Sequence, residues 1–161
     1  MNAANSASSG VFERLTAWLT ERAIAFEVLE HAPVYTSAEA AAVRGTSLAS
    51  GAKALICKAD TALVLFVMPA NRRLASKAVR VARGWKSLRF ATPDEVLAVT
   101  GLTPGAIPPF GSLFSLPTLC DQRLAENERI NFNAGDHSRS ISLTYADYLR
   151  AETPELGAFA E

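Results

Sequence analysis

Lys53 stands between two alanines at the head of an otherwise apolar run, Lys53-Ala-Leu-Ile-Cys57. A lysine there either snorkels to solvent from a strand end or is held in a pocket. As a general base it would need burial to lower its pKa. Further along, Gly101-Leu-Thr-Pro-Gly-Ala-Ile-Pro-Pro-Phe-Gly111 places three glycines and three prolines within eleven residues. Proline fixes φ and removes donors, while glycine allows φ > 0 and close backbone approach. Such a stiff loop offers main-chain amides to a small ligand with few side chains in the way. The alternative is a rigid crossover between a helix and a strand. A third feature is Asn133-Ala-Gly135 followed by Asp136-His137. Gly135 permits a tight turn, and His137 either positions water or a substrate amine or is a solvated loop histidine. His31, just ahead of Ala32-Pro33, lines a pocket with Tyr35 and Thr36 or hydrogen-bonds within a turn.

Two nucleophile schemes fail on inspection. Cys57 lies mid-strand beside Leu55 and Ile56 and reads as a packed thiol. The serines of Asp136-His-Ser-Arg-Ser140 are sequence neighbours of an acid and a histidine, whereas triad geometry is assembled from separate segments. The two cysteines and two histidines form no cluster at ligand spacing, so neither a metal nor another cofactor is expected.

The elements that must position these residues follow from periodicity. Residues 1–9 are small and polar, lacking the basic start and apolar centre of a signal peptide, and read as a disordered tail ahead of one domain over 10–161. Phe12, Leu15 and Leu19 recur at helical spacing, with the helix ending near Arg22. A short strand follows over Phe26–Leu29. Thr36-Ser-Ala-Glu39 has the form of a capping box opening a helix that Gly45 closes. Lys53–Cys57 and Leu63–Met68 read as a hairpin. Asn71–Arg83 reads as a helix burying Leu74, Ala78 and Val81, and Ser87–Phe90 as a strand. Thr92-Pro-Asp-Glu95 starts another helix, which Gly101 ends. Strands are expected near Leu113–Leu116, Thr118–Cys120, Ile130–Asn133 and Ser140–Leu143, then a last helix over Thr144–Arg150. The fold class is therefore α+β, a single domain with a curved mixed sheet and helices packed on it.

Composition narrows the function. The 161 residues are 49% hydrophobic, enough for a substantial core, and carry zero net charge. No global field attracts nucleic acid, and no apolar run is long enough to span a membrane. The cysteines read as reduced thiols in a cytoplasmic protein. Charge is nonetheless segregated. Between Asp60 and Asp94 stand Arg72, Arg73, Lys77, Arg80, Arg83, Lys86 and Arg89 with no acidic residue among them. Arg73, Lys77 and Arg80 fall at i, i+4 and i+7, one face of a helix. A patch of this kind suits phosphate contact without sequence readout. DNA binding is disfavoured by the lack of a helix-turn-helix pattern.

In their order, His31-Ala-Pro-Val-Tyr-Thr36, Arg44–Lys58, Pro69–Leu74, the Gly101–Gly111 loop and Ile130–Leu143 resemble the YbaK/proline-tRNA-synthetase-associated family, nearest its free-standing YeaK-like branch. The resemblance runs from about Leu15 to Leu149. It implies an editing domain that hydrolyses the ester of a mischarged aminoacyl-tRNA. Lys53 would be the principal functional side chain, an ammonium close to the terminal phosphate or acyl ester that stabilises a developing oxyanion. Gly105-Ala-Ile-Pro-Pro109 matches the family's Gly-x-x-x-Pro signature, with amides of Ala106 and Ile107 facing the substrate and Pro109 giving rigidity. His31, Tyr35, Thr36, Gly135 and His137 would line the substrate site. Arg72, Arg73, Lys77 and Arg80 would grip the acceptor end.

The resemblance implies Ser, Thr or Ala as the acyl group and water as the nucleophile, assisted by a ribose hydroxyl or the substrate amine. A monomer is expected, with a synthetase acting in trans as a further candidate partner. A binding module that captures aminoacyl-tRNA or a small amino-acid ligand without turnover is the alternative from another class.

Overall fold

The computed structural model describes residues 3–161, with side chains from residue 10 onward. Along the chain run α1 (Ala3–Glu21), β1 (Glu27–Glu30), α2 (Ser37–Arg44), β2 (Ala52–Ala59), β3 (Ala62–Pro69), α3 (Ser76–Arg83), β4 (Leu88–Phe90), α4 (Pro93–Thr100), β5 (Thr118–Asp121), β6 (Arg129–Asn133), β7 (Arg139–Thr144), α5 (Tyr145–Glu152) and β8 (Glu155–Gly157).

The hairpin read from the two apolar runs is the centre of the fold. β2 and β3 pair antiparallel from Ala52 opposite Pro69 to Ala59 opposite Ala62. Leu65 and Val67 enter one core, while Val64, Phe66 and Met68 enter another. Both faces of β3 are covered, which is why its sequence is a continuous apolar run and not an alternation. β5 joins β3 in parallel, β8 joins β5 in parallel, and β4 pairs antiparallel with the outer edge of β2. The order is β4-β2-β3-β5-β8, and a second, antiparallel sheet has the order β1-β7-β6. The single mixed sheet expected from sequence is thus two sheets, joined where Gly51 and Asn131 form an isolated parallel bridge.

The helices start and stop where their caps dictate. Thr36 accepts from the Glu39 amide at the start of α2, and Gly45 ends it at φ 68°. The capping box of α4 is complete, with Thr92 and Glu95 each bonded to the other's backbone. α1 is helical from Ala3, where sequence leads one to expect a tail through Ser9, and residues 1 and 2 lie outside the described residues. Its Val11, Leu15 and Leu19 are buried, and Trp18 meets Phe110 edge-on at 5.4 Å.

Three expected elements differ. The helix expected over 71–83 begins only at Ser76, because Arg73 exchanges backbone hydrogen bonds with Glu161 and holds the preceding segment extended. Its buried residue is Val79, whereas Val81 is 64% exposed and Ala78 faces solvent. No strand forms near Leu113–Leu116: Gly111–Phe114 is a 3-10 turn closed by Ser115 in the left-handed region. β8, three residues long, carries too little periodicity to be read from sequence.

Candidate active site

A cleft of about 170 Å³ opens at the seam between the two sheets. Its walls are Tyr35, Thr36 and the inner face of α2, the Gly51–Leu55 stretch, Gly105 with Ile107, and Phe132 with Asn133. The lining contains Lys53 and Arg44 but no Asp or Glu, so the cleft is electropositive.

Lys53 is half-buried on β2 and lines the cleft, which settles the choice between snorkelling and a pocket in favour of the pocket. Burial alone acts on its ammonium and pulls the pKa down, with no countercharge in reach among the described residues. An unpaired, partly desolvated cation is poised for an anionic or developing negative partner from outside the chain.

The Gly101–Gly111 loop is fixed at several points. Tyr148 donates its hydroxyl to the Pro109 carbonyl at 2.8 Å, and Phe110 is ringed by Trp18, Phe132 and Tyr148. Pro109 is therefore a buried anchor and does not line the cleft. The Ala106 amide is turned inward to the Thr103 carbonyl, and the Ala106 carbonyl accepts from Gly135. Of the two amides expected to serve a ligand, then, Ala106 is committed to the loop, and Ile107 is the one in the cleft wall. Gly105 adopts φ 90°, and its carbonyl accepts from Asn133 at 2.6 Å.

The histidines lie behind the cleft wall. His31 Nδ1 donates to the Ala32 carbonyl at 2.9 Å, leaving Nε2 to accept from Ser140 at 2.8 Å. The turn reading of His31 is thus the one the structure supports. His137 stacks on Tyr35 with ring centroids 4.8 Å apart and sits against Gly105, where an added Cβ would meet its Cε1 at 3.4 Å. Its Nε2 lies 3.3 Å from Thr103 Oγ1, and its Nδ1 is buried without a partner among the described residues. Gly135, at φ 96°, makes the turn that brings this histidine round and is not in the lining. Tyr35 is 72% exposed at the cleft mouth, and Thr36 lines it while capping α2.

Neither nucleophile scheme has geometry. Burial pushes both the Cys57 and the Cys120 thiol up to about 12. Burial would also raise the Asp136 carboxyl, but bonds from Ser138 and Arg139 outweigh it and hold it below its usual range. That carboxylate is engaged with Ser138 and Arg139, not with His137.

The basic segment adjoins the cleft, for Ala70 lines it and Arg72 follows two residues later. Its charge is partly answered by acids, two of them from distant segments. Arg73 pairs with Glu161 at 3.2 Å, Arg83 with Glu155 at 2.6 Å, and Arg89 with Glu95 at 2.7 Å. Arg73 also lies ahead of α3, so it does not share a helix face with Lys77 and Arg80 as its spacing suggests.

Sequence reasoning missed Arg44. A basic residue in the last turn of a helix ordinarily stays at the surface and complements the helix dipole. Arg44 instead turns inward, donating from Nε to Ser140 (2.8 Å) and from its two terminal nitrogens to Asn131 (2.8 Å) and Asn133 (2.9 Å). Burial lowers its pKa to about 10, and no carboxylate among the described residues answers its charge. The alternation Asn131-Phe-Asn133 on one strand was the available signal, since two amides on one strand face want a shared partner.

Residues 31–151 match the family model of the aminoacyl-tRNA editing domain. The chain is 36% identical over 152 residues to the Escherichia coli (strain K12) multifunctional Ser/Thr-tRNA deacylase ProXp-y, covering 91% of each. It is 37% identical over 84 residues to the proline–tRNA ligase of Shouchella clausii, of which that stretch is 15%. A solved structure of a candidate trans-editing enzyme for prolyl-tRNA synthetase superposes with a TM-score of 0.83 at 25% identity, covering 94% of this chain and 97% of that one. The chain belongs to the aminoacyl-tRNA editing domain family.

Proposed function

We propose that this protein is a free-standing deacylase that hydrolyses the ester of mischarged tRNA carrying a small amino acid, serine or threonine first. The observation that carries the reading is the unpaired Lys53 ammonium facing a small cleft without acids, in a chain of the editing family. About 170 Å³ is below the usual size of a drug-like pocket and suits a short acyl group with the terminal ribose held at the mouth. The names of the Escherichia coli relative and of the prolyl-tRNA trans-editing structure favour tRNA as the carrier.

In this reading water attacks the acyl carbon, helped by a ribose hydroxyl or the substrate amine. The bond from that carbon to the ribose oxygen breaks, and the proton from water ends on that oxygen. Free amino acid and uncharged tRNA leave. Lys53 and the Ile107 amide stabilise the negative charge that develops on the carbonyl oxygen. Arg72, Lys77 and Arg80 hold the acceptor end through phosphates. The protein acts as a monomer in the cytoplasm, downstream of the synthetase that made the error.

The test is a panel of tRNAs charged with Ala, Ser, Thr, Cys or Pro, with ester loss followed over time beside Lys53→Ala. Catalytic release of Ser and Thr, lost in the variant, is the expected result. Esters surviving at the buffer rate despite binding would make the protein a capture module instead.

A further inference from the structure

The guanidinium of Arg44 joins α2 to the smaller sheet, between which no backbone hydrogen bond runs among the described residues. It leaves the end of α2, lines the cleft and bonds three side chains on the smaller sheet, Ser140, Asn131 and Asn133. Of these, Asn133 carries the connection onward. Its Oδ1 faces the guanidinium and can only accept, so its Nδ2 is the atom that meets the Gly105 carbonyl at 2.6 Å. One carboxamide thus couples the helix on one side of the cleft to the Gly105–Ile107 wall on the other. The Gly105 backbone at φ 90° has no side chain of its own to fix it.

Withdrawing a guanidinium part-way from solvent without a carboxylate is unfavourable, and an apolar residue would be the more stable occupant if filling space were the need. What a guanidinium supplies is a planar fork with donors at fixed angles, which a lysine cannot reproduce. Three bonds from one such fork hold their acceptors in one arrangement, the rigidity a size-selective site requires.

We propose that Arg44 is a positioning residue that acts through Asn133 on the Gly105 loop, setting the cleft's width and thereby the size of acyl group it accepts. The proposal rests on the deacylase reading above. Discrimination of a single methylene in a pocket is worth about 10–200-fold, and only walls that hold still deliver it.

One tRNA body, charged with serine or with valine, removes any difference in tRNA contact. The readout is the ratio of kcat/KM for the two esters, with thermal unfolding alongside. Arg44→Met is expected to lower the seryl-to-valyl ratio by about tenfold, and Arg44→Lys not to restore it. The separating variant is Asn133→Asp, whose carboxylate still accepts from Arg44 but cannot donate to the Gly105 carbonyl. It is expected to keep the unfolding temperature of the parent while losing selectivity to the same extent. The pair Arg44→Met with Asn133→Asp is expected to be no less selective than either alone.

A ratio unchanged in Asn133→Asp, or equal losses on both esters in step with stability, overturns the positioning role and leaves the deacylase reading intact. Wild-type protein that releases neither amino acid overturns the deacylase reading itself, and this proposal with it.

Discussion

The Tyr148 hydroxyl donates to the Pro109 carbonyl and so ties α5 to the proline pair of the loop, through a bond 2.8 Å long and closed to solvent. Tyr148→Phe keeps the ring contact with Phe110 but leaves that carbonyl without a partner. A buried group so orphaned costs about 1–3 kcal/mol. Urea unfolding is expected to show a lower midpoint with an unchanged slope, and deacylation to fall because Ile107 is two residues from the loosened anchor.

Lys53→Met separates chemistry from stability. The thioether side chain fills similar space without a desolvated charge, so thermal unfolding is expected to occur at the same temperature or higher. Ester hydrolysis is expected to fall by about 100-fold or more, the scale for losing one oxyanion-stabilising donor. A destabilised Lys53→Met with undiminished turnover per folded molecule would remove Lys53 from the mechanism.

The two glycines at either end of Gly105–Gly111 are needed for different reasons. At Gly105 an added Cβ has room, but φ 90° is a conformation side chains resist. Gly105→Ala is therefore expected to strain the loop by about 1–3 kcal/mol. Activity should drop while the fold survives. At Gly111 a Cβ would fall 2.4 Å from Thr118 Oγ1 and 2.6 Å from the Leu116 carbonyl oxygen. Gly111→Ala is expected to unfold at a much lower temperature, measurable by calorimetry.

Glu152 gives the fold a pH dependence. Burial raises its carboxyl pKa, only partly offset by bonds from Ser112 and Thr118, and its Oε2 has no partner among the described residues. A raised pKa means the folded state binds this proton more tightly than the unfolded chain does. Its contribution is fully present below the ordinary value of 4.5 and is lost as pH rises through the folded value. Glu152→Gln, which cannot ionise, is expected to gain stability over the parent as pH climbs from 4.5 through the raised folded value. Parallel unfolding curves at all pH values would show that Glu152 does not titrate in this way.

Salt dependence tests the basic segment. Lys77→Ala and Arg80→Ala, each removing a cation with no acid paired to it among the described residues, are expected to weaken binding equally for all tRNAs. Each should reduce the slope of log affinity against log salt by about 1. Arg73→Ala is expected to change it little, since that guanidinium already faces Glu161.

Much of this was legible in the sequence because it was locally encoded. Thr36, Gly45, Thr92 and Gly101 act within four residues of themselves, and the caps stand where those residue types place them. Lys53 was conspicuous because a charge interrupts an apolar run. What stayed hidden depends on partners far along the chain. Arg73 is drawn out of the helical pattern by Glu161, Arg83 is answered by Glu155, and Arg44 reaches residues nearly ninety or more positions away. Periodicity has no term for such pairings. The same limit explains why the Ala106 amide reads as ligand-facing, when the loop's bond to Thr103 turns it inward and Gly135 holds the Ala106 carbonyl.

The seam at Gly51 and Asn131 has a consequence for how such a domain diversifies. The lysine belongs to the larger sheet, whereas Phe132 and Asn133, which shape the opposite wall, belong to the smaller one. Substitutions on the smaller sheet can reshape the chamber while the strand carrying the charge keeps its register. Paralogues descended from one ancestor could thereby come to patrol different errors, inheriting a common reaction and diverging only in what they admit.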